Sequence, residues 1–369
     1  MSKIIVGIIY GGRSTEHEVS LRSAASVFKR LDRSRFEART IYIDKSGVWH
    51  WAEIPESFIA GSDASLPIMT EGPEVVLLSK GIFSFQDQKN FGRKEKVDVV
   101  MPMLHGQNCE DGTLQGLFET MEIAYTGSGV LGSSIGMDKE VSKRLAAHAG
   151  IPIVPYRVAY SWDSAEKIQA TIADAEKNLG YPMFVKACRE GSSVGVYKVK
   201  TRDEAQAKLK EAFQYDSKVL IEKGIEAREI EFAILQNTDR SKLPFVSIPA
   251  EIIPSGGHEF YSYEAKYLDD NGAIVKVPAE ISPAFTQKLT QLVQEIFITL
   301  ELEGYARIDL FLDKNSSAEK PVFYLNEVNT LPGFTSISMF PKLWEASGTS
   351  YTDLLTKLVD LALLRSRGK

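Results

Sequence analysis

Apolar and polar positions along this chain follow two periods, and the switches between them mark out its elements. Lys3 to Tyr10 is a near-continuous apolar run, as expected of a strand buried on both faces. Gly11-Gly12 turns the chain, Ser20 opens a helix running to about Leu31, and a second strand follows over Phe36 to Ile43. That βαβ order predicts a parallel sheet covered by helices. Val97 to Leu104 is the next clear strand and delivers His105-Gly106 at its C-terminal end, the edge where open α/β sheets bind ligands. From Pro67 to Gly92 no regular period is visible.

A loop rich in glycine and serine, Thr126 to Gly136, reads as a domain boundary, followed by a helix over Lys139 to Ala149 that Gly150 and Pro152 stop. A small α+β unit comes next: helix Ala165 to Leu179, strand Met183 to Ala187, turn Glu190 to Gly195, strand Val196 to Val199 and helix Ala205 to Phe213. A third unit starts near Lys218 with the run Val219 to Lys223. It continues through strand Ile230 to Leu235, helix Pro283 to Leu302 and a final amphipathic helix around Leu354 to Leu364. The predicted division is 1–128, 129–217 and 218–369.

Within the third unit, Ala306 to Leu312 and Val322 to Val328 read as strands, and the polar segment Asp313 to Lys320 can close them into a hairpin. Side chains two apart share a strand face, so Arg307 goes with Asp309 and Glu327 with Asn329. An antiparallel register centred on the loop brings these faces together. Two carboxylates, an amide oxygen and a guanidinium then converge on an otherwise apolar sheet, and hard oxygen donors of this kind suit Mg²⁺ held against phosphates. A salt bridge on a solvated face is the plain alternative.

Composition narrows the function classes. The 369 residues suffice for two or three domains, and 44% hydrophobic with 25% charged residues is ordinary for a globular protein. A net charge of −6 with scattered Lys and Arg leaves no footprint for nucleic acid or an anionic membrane. Ile4 to Tyr10 lacks a cleavage pattern, and no apolar run reaches the ~20 residues a bilayer span needs. Cys109 and Cys188 form no disulfide framework or metal-ligand spacing, so a reducing cytoplasm is expected and zinc is not.

No P-loop motif is present. Gly127 to Gly132 matches G-x-G-x-x-G, but no acidic residue follows at the spacing a dinucleotide fold needs, and the segment reads as a linker. Glu190-Gly191-Ser192-Ser193-Val194-Gly195 lies between two apolar strands, where glycines let backbone N–H groups face a phosphate and serines add donors; a plain hairpin tip is the alternative. Lys186 sits in an otherwise buried strand and needs an anionic partner, for which a nucleotide phosphate would serve.

Gly11 to Ser20, His105-Gly106 with Glu110 to Gly116, Arg189 to Gly195, Glu264-Ala265-Lys266-Tyr267 and Asn326 to Gly333 together resemble the D-alanine-D-alanine ligase family, in the right order and over almost the whole chain. The resemblance implies an ATP-grasp fold of mixed α/β and α+β class, in three domains with an N-terminal open parallel sheet. It implies ATP and Mg²⁺ (or Mn²⁺), D-alanine as substrate, action in cell-wall precursor synthesis and a homodimer.

Carried over by position, Lys139, Lys186 and the turn at Ser193 would hold phosphates, Glu222 and Lys223 the adenine edge, and Glu229 the ribose. Asp309, Glu327 and Asn329 match the Mg²⁺ ligands, Lys266 would touch the transferred phosphoryl group, and Arg307 would stabilise an oxyanion. Glu16 would bind the first substrate's ammonium, with Ser192 and Tyr267 hydrogen-bonded to it and His105 alongside. Ser338, with Gly333 and Met339, would receive the second substrate's carboxylate. The aromatic segment Phe260 to Leu268 is expected to form a lid, in which Tyr267 helps select an amine nucleophile.

Two positions depart from the family pattern. Cys109 stands where glycine is usual, which is awkward if the backbone there needs positive φ, and Ala187 stands where proline is usual, which is expected to loosen that strand end. The rival readings are a D-alanine-D-lactate or D-alanine-D-serine ligase of the same fold, a biotin-dependent carboxylase subunit, and a nucleotide-binding regulator.

Overall fold

Strand Ile4–Gly11 is buried from Val6 onward, and it occupies the centre of a five-stranded sheet. Phe36–Ile43 and Val99–Pro102 pair with it in parallel on either side, Ala124–Tyr125 extends the sheet in parallel, and Trp49–Ala52 closes the other edge antiparallel. The computed structural model describes residues 2–53, 71–256, 272–316 and 320–368. The first helix spans His17–Arg30 and starts earlier than Ser20, which lies buried inside it. Part of the stretch that showed no period forms a small antiparallel sheet of Val75–Leu78, Ile82–Phe85 and Lys94–Lys96; Phe83 and Phe85 pack on Trp51.

The segment Thr126 to Gly136 is not a linker. Val130–Met137 is a helix, a Cβ on Gly132 would stand 2.4 Å from the Glu301 carbonyl oxygen, and the Ser128 hydroxyl donates to the Glu303 carbonyl at 3.1 Å. Its small residues allow close packing against the C-terminal half of the chain.

A four-stranded antiparallel sheet runs in the order Val196–Val199, Met183–Ala187, Lys218–Lys223, Tyr156–Tyr160. Lys218–Lys223 was expected to open the third unit; it belongs here. Val219 and Ile221 enter the same core as Ile172 of helix Ala165–Asn178 and Leu209 of helix Arg202–Ala212, and burying them there outweighs sequence proximity to the next strand.

The largest sheet places Ala227–Leu235 beside Tyr305–Asp313, which pairs in turn with Phe323–Asn329. Alternation along Ala227–Leu235 and Tyr305–Asp313 sorts its faces. Ile230, Phe232, Ile234, Ala306, Ile308 and Leu310 face a core shared with helix Pro283–Thr299, so the polar side chains are left on the other face. The final helix, Tyr351–Arg367, packs on the N-terminal sheet: Leu354, Leu355 and Leu358 share a core with Val6, Ile8 and Met101. The end of the predicted third unit thus completes the first.

Candidate active site

The hairpin brings the expected pairs together, with a register shift between Asp309 and Leu310: Leu310 pairs with Leu325, which leaves Asn326 as an extra residue on its strand. Arg307 stands opposite Asn329 and Asp309 opposite Glu327, and on the other side Glu231 stands opposite Asp309. A row of three carboxylates, Glu231, Asp309 and Glu327, therefore crosses three strands. Arg307 neutralises part of it through a bidentate pair, Nε to Asp309 Oδ1 at 2.8 Å and the terminal nitrogen to Oδ2 at 2.7 Å, with Glu231 at 3.5 Å. Burial opposes the guanidinium charge, but Asp309 and Glu231 outweigh it and hold Arg307 well above the usual arginine range.

The first loop is built by glycine. Gly11 and Gly12 have φ of 94° and 89°, and a Cβ on Gly11 would lie 2.1 Å from the Ile43 carbonyl oxygen. Ser20 ties the loop down, its hydroxyl accepting from the Gly11 N–H at 2.7 Å and donating to the Met103 carbonyl at 2.5 Å. Glu16 is left at the N-terminus of helix His17–Arg30, where the helix dipole favours its charge. It accepts a 2.5 Å hydrogen bond from the Ser192 hydroxyl. His105 is buried beside them, with Nδ1 3.1 Å from the Leu331 carbonyl oxygen and 3.7 Å from Glu110. Burial disfavours the imidazolium, yet Glu110 and Glu16 raise the His105 pKa above its ordinary value.

Ser192 and Ser193 adopt left-handed conformations, φ 52° and 59°, which non-glycine residues hold only when their surroundings over-determine them. The anchors are visible. Arg189 donates its backbone N–H to Asp216 at 2.8 Å and clasps the same carboxylate with its guanidinium, while the Lys139 ammonium donates to the Glu190 carbonyl at 2.7 Å. Lys139 also lies 3.4 Å from Glu327, joining the turn to the carboxylate row. Ala187 does not loosen its strand: its N–H, which proline would lack, donates to the Gly195 carbonyl at 3.1 Å and closes the turn. Cys109 needs no positive φ, because Asn108 takes the left-handed position at φ 65°.

On the side expected to take a nucleotide, Lys186 already has an anionic partner within the protein. Its ammonium lies 2.5 Å from Glu222 Oε2, and Lys143 holds Oε1 at 2.9 Å. Burial opposes the Glu222 charge, but Lys143 and Lys186 outweigh it and keep the carboxyl below the usual carboxylate range. Lys223 is exposed at the end of the same strand, and Glu229 is half-buried on Ala227–Leu235.

Ser338 precedes helix Met339–Ala346 without capping its first N–H groups, so they can receive a carboxylate. Its hydroxyl instead accepts from the Thr335 N–H at 2.9 Å. A Cβ on Gly333 would stand 2.8 Å from that hydroxyl. Glu16, Ser192, His105, Lys139, Arg307, Glu327, Asn329, Gly333, Ser338 and Met339 all line one cleft of about 1050 Å³. Lys186, Ser193, Glu222, Lys223, Glu229 and Asp309 are outside that lining set, and Lys266, Tyr267 and the aromatic segment from Phe260 to Leu268 lie outside the described residues.

Two family models match this chain, the D-ala D-ala ligase N-terminus over residues 5–128 and the D-ala D-ala ligase C-terminus over 145–360. The chain belongs to the D-alanine-D-alanine ligase family. It is 49% identical to D-alanine–D-alanine ligase A of Bradyrhizobium diazoefficiens, covering 99% of this chain and 96% of the relative. The Escherichia coli K12 ligase A is 40% identical, with 99% and 97% covered. Among solved structures, the D-alanine-D-alanine ligase from Coxiella burnetii superposes with a TM-score of 0.82 at 33% identity, covering 100% of this chain and 96% of that one. The VanG D-Ala:D-Ser ligase from Enterococcus faecalis gives 0.82 at 32% identity, with 98% and 100% covered. The fold is thus that of the ATP-grasp ligases.

The carboxylate row supplies oxygen donors of the type a divalent cation takes, but among the described residues no three His, Cys, Asp or Glu side chains are placed to hold a metal ion, and Arg307 engages both oxygens of Asp309. Asp309 and Glu327 are facing carboxylates, and Asn329 adds an amide oxygen, which also accepts the Leu331 N–H at 3.1 Å. This is a hard, all-oxygen donor set with an excess of negative charge.

Glu231, Glu110 and Lys143 did not emerge from the sequence. Glu231 had a signal, an acidic residue two positions from Glu229 in an apolar strand; Glu110 sat inside a recognised motif without a role of its own. Lys143 shares a helix face with Lys139 at i+4 spacing, which alone marks an ordinary solvated lysine.

Proposed function

We infer that this chain joins two D-alanine molecules into D-alanyl-D-alanine at the expense of ATP, for peptidoglycan precursor synthesis. The observation that supports this reading is the cleft itself, lined by Glu16, the glycine-serine turn at Gly191 and Ser192, Ser338 before its helix, and Glu231, Glu327 and Arg307.

A carboxylate is a poor electrophile, so the reaction takes two steps. A carboxylate oxygen of the first D-alanine attacks the γ-phosphorus of ATP and ADP leaves, forming D-alanyl phosphate. The amine of the second D-alanine then attacks the acyl carbon, inorganic phosphate leaves, and the nitrogen sheds its proton. Glu16 holds the first ammonium and Ser192 orients Glu16. Arg307 faces the negative charge that develops on the carbonyl oxygen. His105 borders the first substrate, and the N-terminus of Met339–Ala346, with Ser338 and Gly333, receives the second carboxylate. Lys139, Lys186 and Ser193 bind phosphates, Glu222 and Lys223 the adenine edge, Glu229 the ribose, and Lys266 the transferred group. Asp309, Glu327 and Asn329 would hold Mg²⁺, or Mn²⁺, which would neutralise phosphate charge when bound. Tyr267 helps exclude hydroxyl nucleophiles.

The three-unit division 1–128, 129–217 and 218–369 is kept here as a proposal, with Lys218–Lys223 moved to the central unit, whose strands it pairs with, and the last helix to the first. The protein acts in the cytoplasm, where ATP is available, and as a homodimer. Exposed Leu131 and Ile298 line a surface cavity together with Pro244, Arg240, Lys242, Glu119 and Glu301, and this mixed apolar and charged lining supports self-association through a two-fold axis.

The test is phosphate release with ATP and Mg²⁺, offering D-alanine alone and then with D-serine or D-lactate, with products identified by mass. Release with D-alanine alone, giving the dipeptide, supports the reading; release only in a mixture identifies a mixed ligase, and none at all overturns ligase activity.

A further inference from the structure

Glu222 is a carboxylate shared by two lysines. Its side chain and that of Lys143 are each 1% exposed, and the Lys143 ammonium, besides its 2.9 Å contact with Oε1, donates to the Leu325 carbonyl at 3.1 Å. Leu325 lies two residues before Glu327, so this one ammonium links the central sheet to the strand of the carboxylate row. Lys186 occupies the other oxygen, and its ammonium lies over the rings of Phe184 and Phe311, 5.6 and 5.7 Å from their centroids.

One carboxylate between two ammonium groups leaves the trio with an excess cation. A buried carboxylate with a single lysine would hold that lysine tightly, since breaking such a pair strands an uncompensated charge. With Lys143 held at 2.9 Å on the other oxygen, Lys186 can leave Glu222 for a phosphate and Glu222 keeps a lysine partner, although burial lowers the Lys143 pKa against the opposing pull of Glu222. We propose that Lys143 is a positioning residue for nucleotide binding: it holds Glu222 so that Lys186 is free to engage the polyphosphate of a nucleoside triphosphate. This rests on the reading that Lys186 contacts ATP.

The experiment uses the full chain and four variants: Lys143→Met, Lys186→Met, Glu222→Gln, and Lys143→Met combined with Glu222→Gln. ADP with Mg²⁺ is the probe, its Kd measured by calorimetry, alongside Tm, kcat and the KM values for ATP and D-alanine. Lys143→Met is expected to raise the ADP Kd and the ATP KM by about tenfold or more, with the D-alanine KM moved less than about threefold. In the Glu222→Gln background, whatever its own Kd, adding Lys143→Met should change it by less than about threefold, because no carboxylate remains to trap Lys186. A purely structural lysine would lower Tm and disturb both substrates in either background. If Lys186→Met weakens ADP binding but Lys143→Met does not, the proposal is overturned and the ATP-site reading stands. If Lys186→Met leaves binding unchanged, that reading fails and takes the proposal with it. Should Lys143→Met not fold, the double variant against Glu222→Gln decides: a difference of tenfold overturns the proposal, and near-equality supports it.

Discussion

The hydroxyl of Ser192 donates to Glu16 across 176 residues of chain, at 2.5 Å. This contact joins the glycine loop of the N-terminal sheet to the glycine-serine turn of the central sheet, and so connects the side proposed to take the first substrate to the side proposed to take phosphates. A hydrogen bond to a charged group contributes about 1.5–3 kcal/mol, so Ser192→Ala should lower kcat/KM for D-alanine by roughly ten- to a hundredfold. Steady-state kinetics with D-alanine varied at saturating ATP checks it, and an unchanged value would remove Ser192 from the site.

Facing carboxylates at Asp309 and Glu327 predict a dependence on divalent cation that each of them controls. Glu327→Gln removes one anionic donor, and the Mg²⁺ concentration for half-maximal activity should rise by at least about tenfold. Chelation should abolish activity and Mg²⁺ or Mn²⁺ restore it, as measured by ADP release over a metal titration.

Asp216 anchors the turn that carries Ser192, and its effect on stability has a sign set by linkage. Burial raises its pKa, but the hydrogen bonds from Arg189 and Lys218 outweigh this and the folded carboxyl lies below its ordinary value. The unfolded chain therefore takes up the proton first. The stabilisation is fully present above the unfolded pKa, about 3.9, and is lost as the pH falls toward and through the folded one. Urea midpoints measured from about pH 5 down to 2.5 should fall less steeply for Asp216→Asn than for the parent, from a lower starting stability.

Cys109 is 8% exposed and packs in the core beside Leu114 and Phe118, and burial pushes its thiol up to about 12. Cys109→Gly should retain activity, since Asn108 and not Cys109 takes the left-handed conformation. It should nevertheless destabilise the fold by about 1–2 kcal/mol, from lost burial and added backbone freedom. Denaturant unfolding and kcat, measured together, separate the two effects.

Leu131, 60% exposed, lies on the surface proposed to join two copies. Leu131→Asp should convert a dimer to a monomer in light scattering coupled to gel filtration, with the fold retained because the side chain is mostly exposed.

The residues readable in advance were those whose relationships are local. Arg307 with Asp309 and Glu327 with Asn329 obey a period of two, and the short polar loop left a register that brings them together. The linker reading of Gly127 to Gly132 failed because glycines that permit a close approach to Glu301 look, in one dimension, like glycines that permit flexibility. The strand Lys218–Lys223 was misplaced because antiparallel pairing joins it to Met183–Ala187, a partner that its neighbours along the chain do not reveal.

The sequence by itself determined many of the longer elements, the polar faces of the hairpin and the family, but not the small sheet from Val75 to Lys96 or helix Val130–Met137, because periodicity and contiguous motifs are properties of neighbours along the chain. Tertiary structure alone decided that Glu222 is shared by Lys143 and Lys186, that Glu231 completes a three-strand carboxylate row, and that the last helix covers the first sheet. Those pairings join residues tens to hundreds of positions apart, and their energies depend on burial, which exists only once the units have packed.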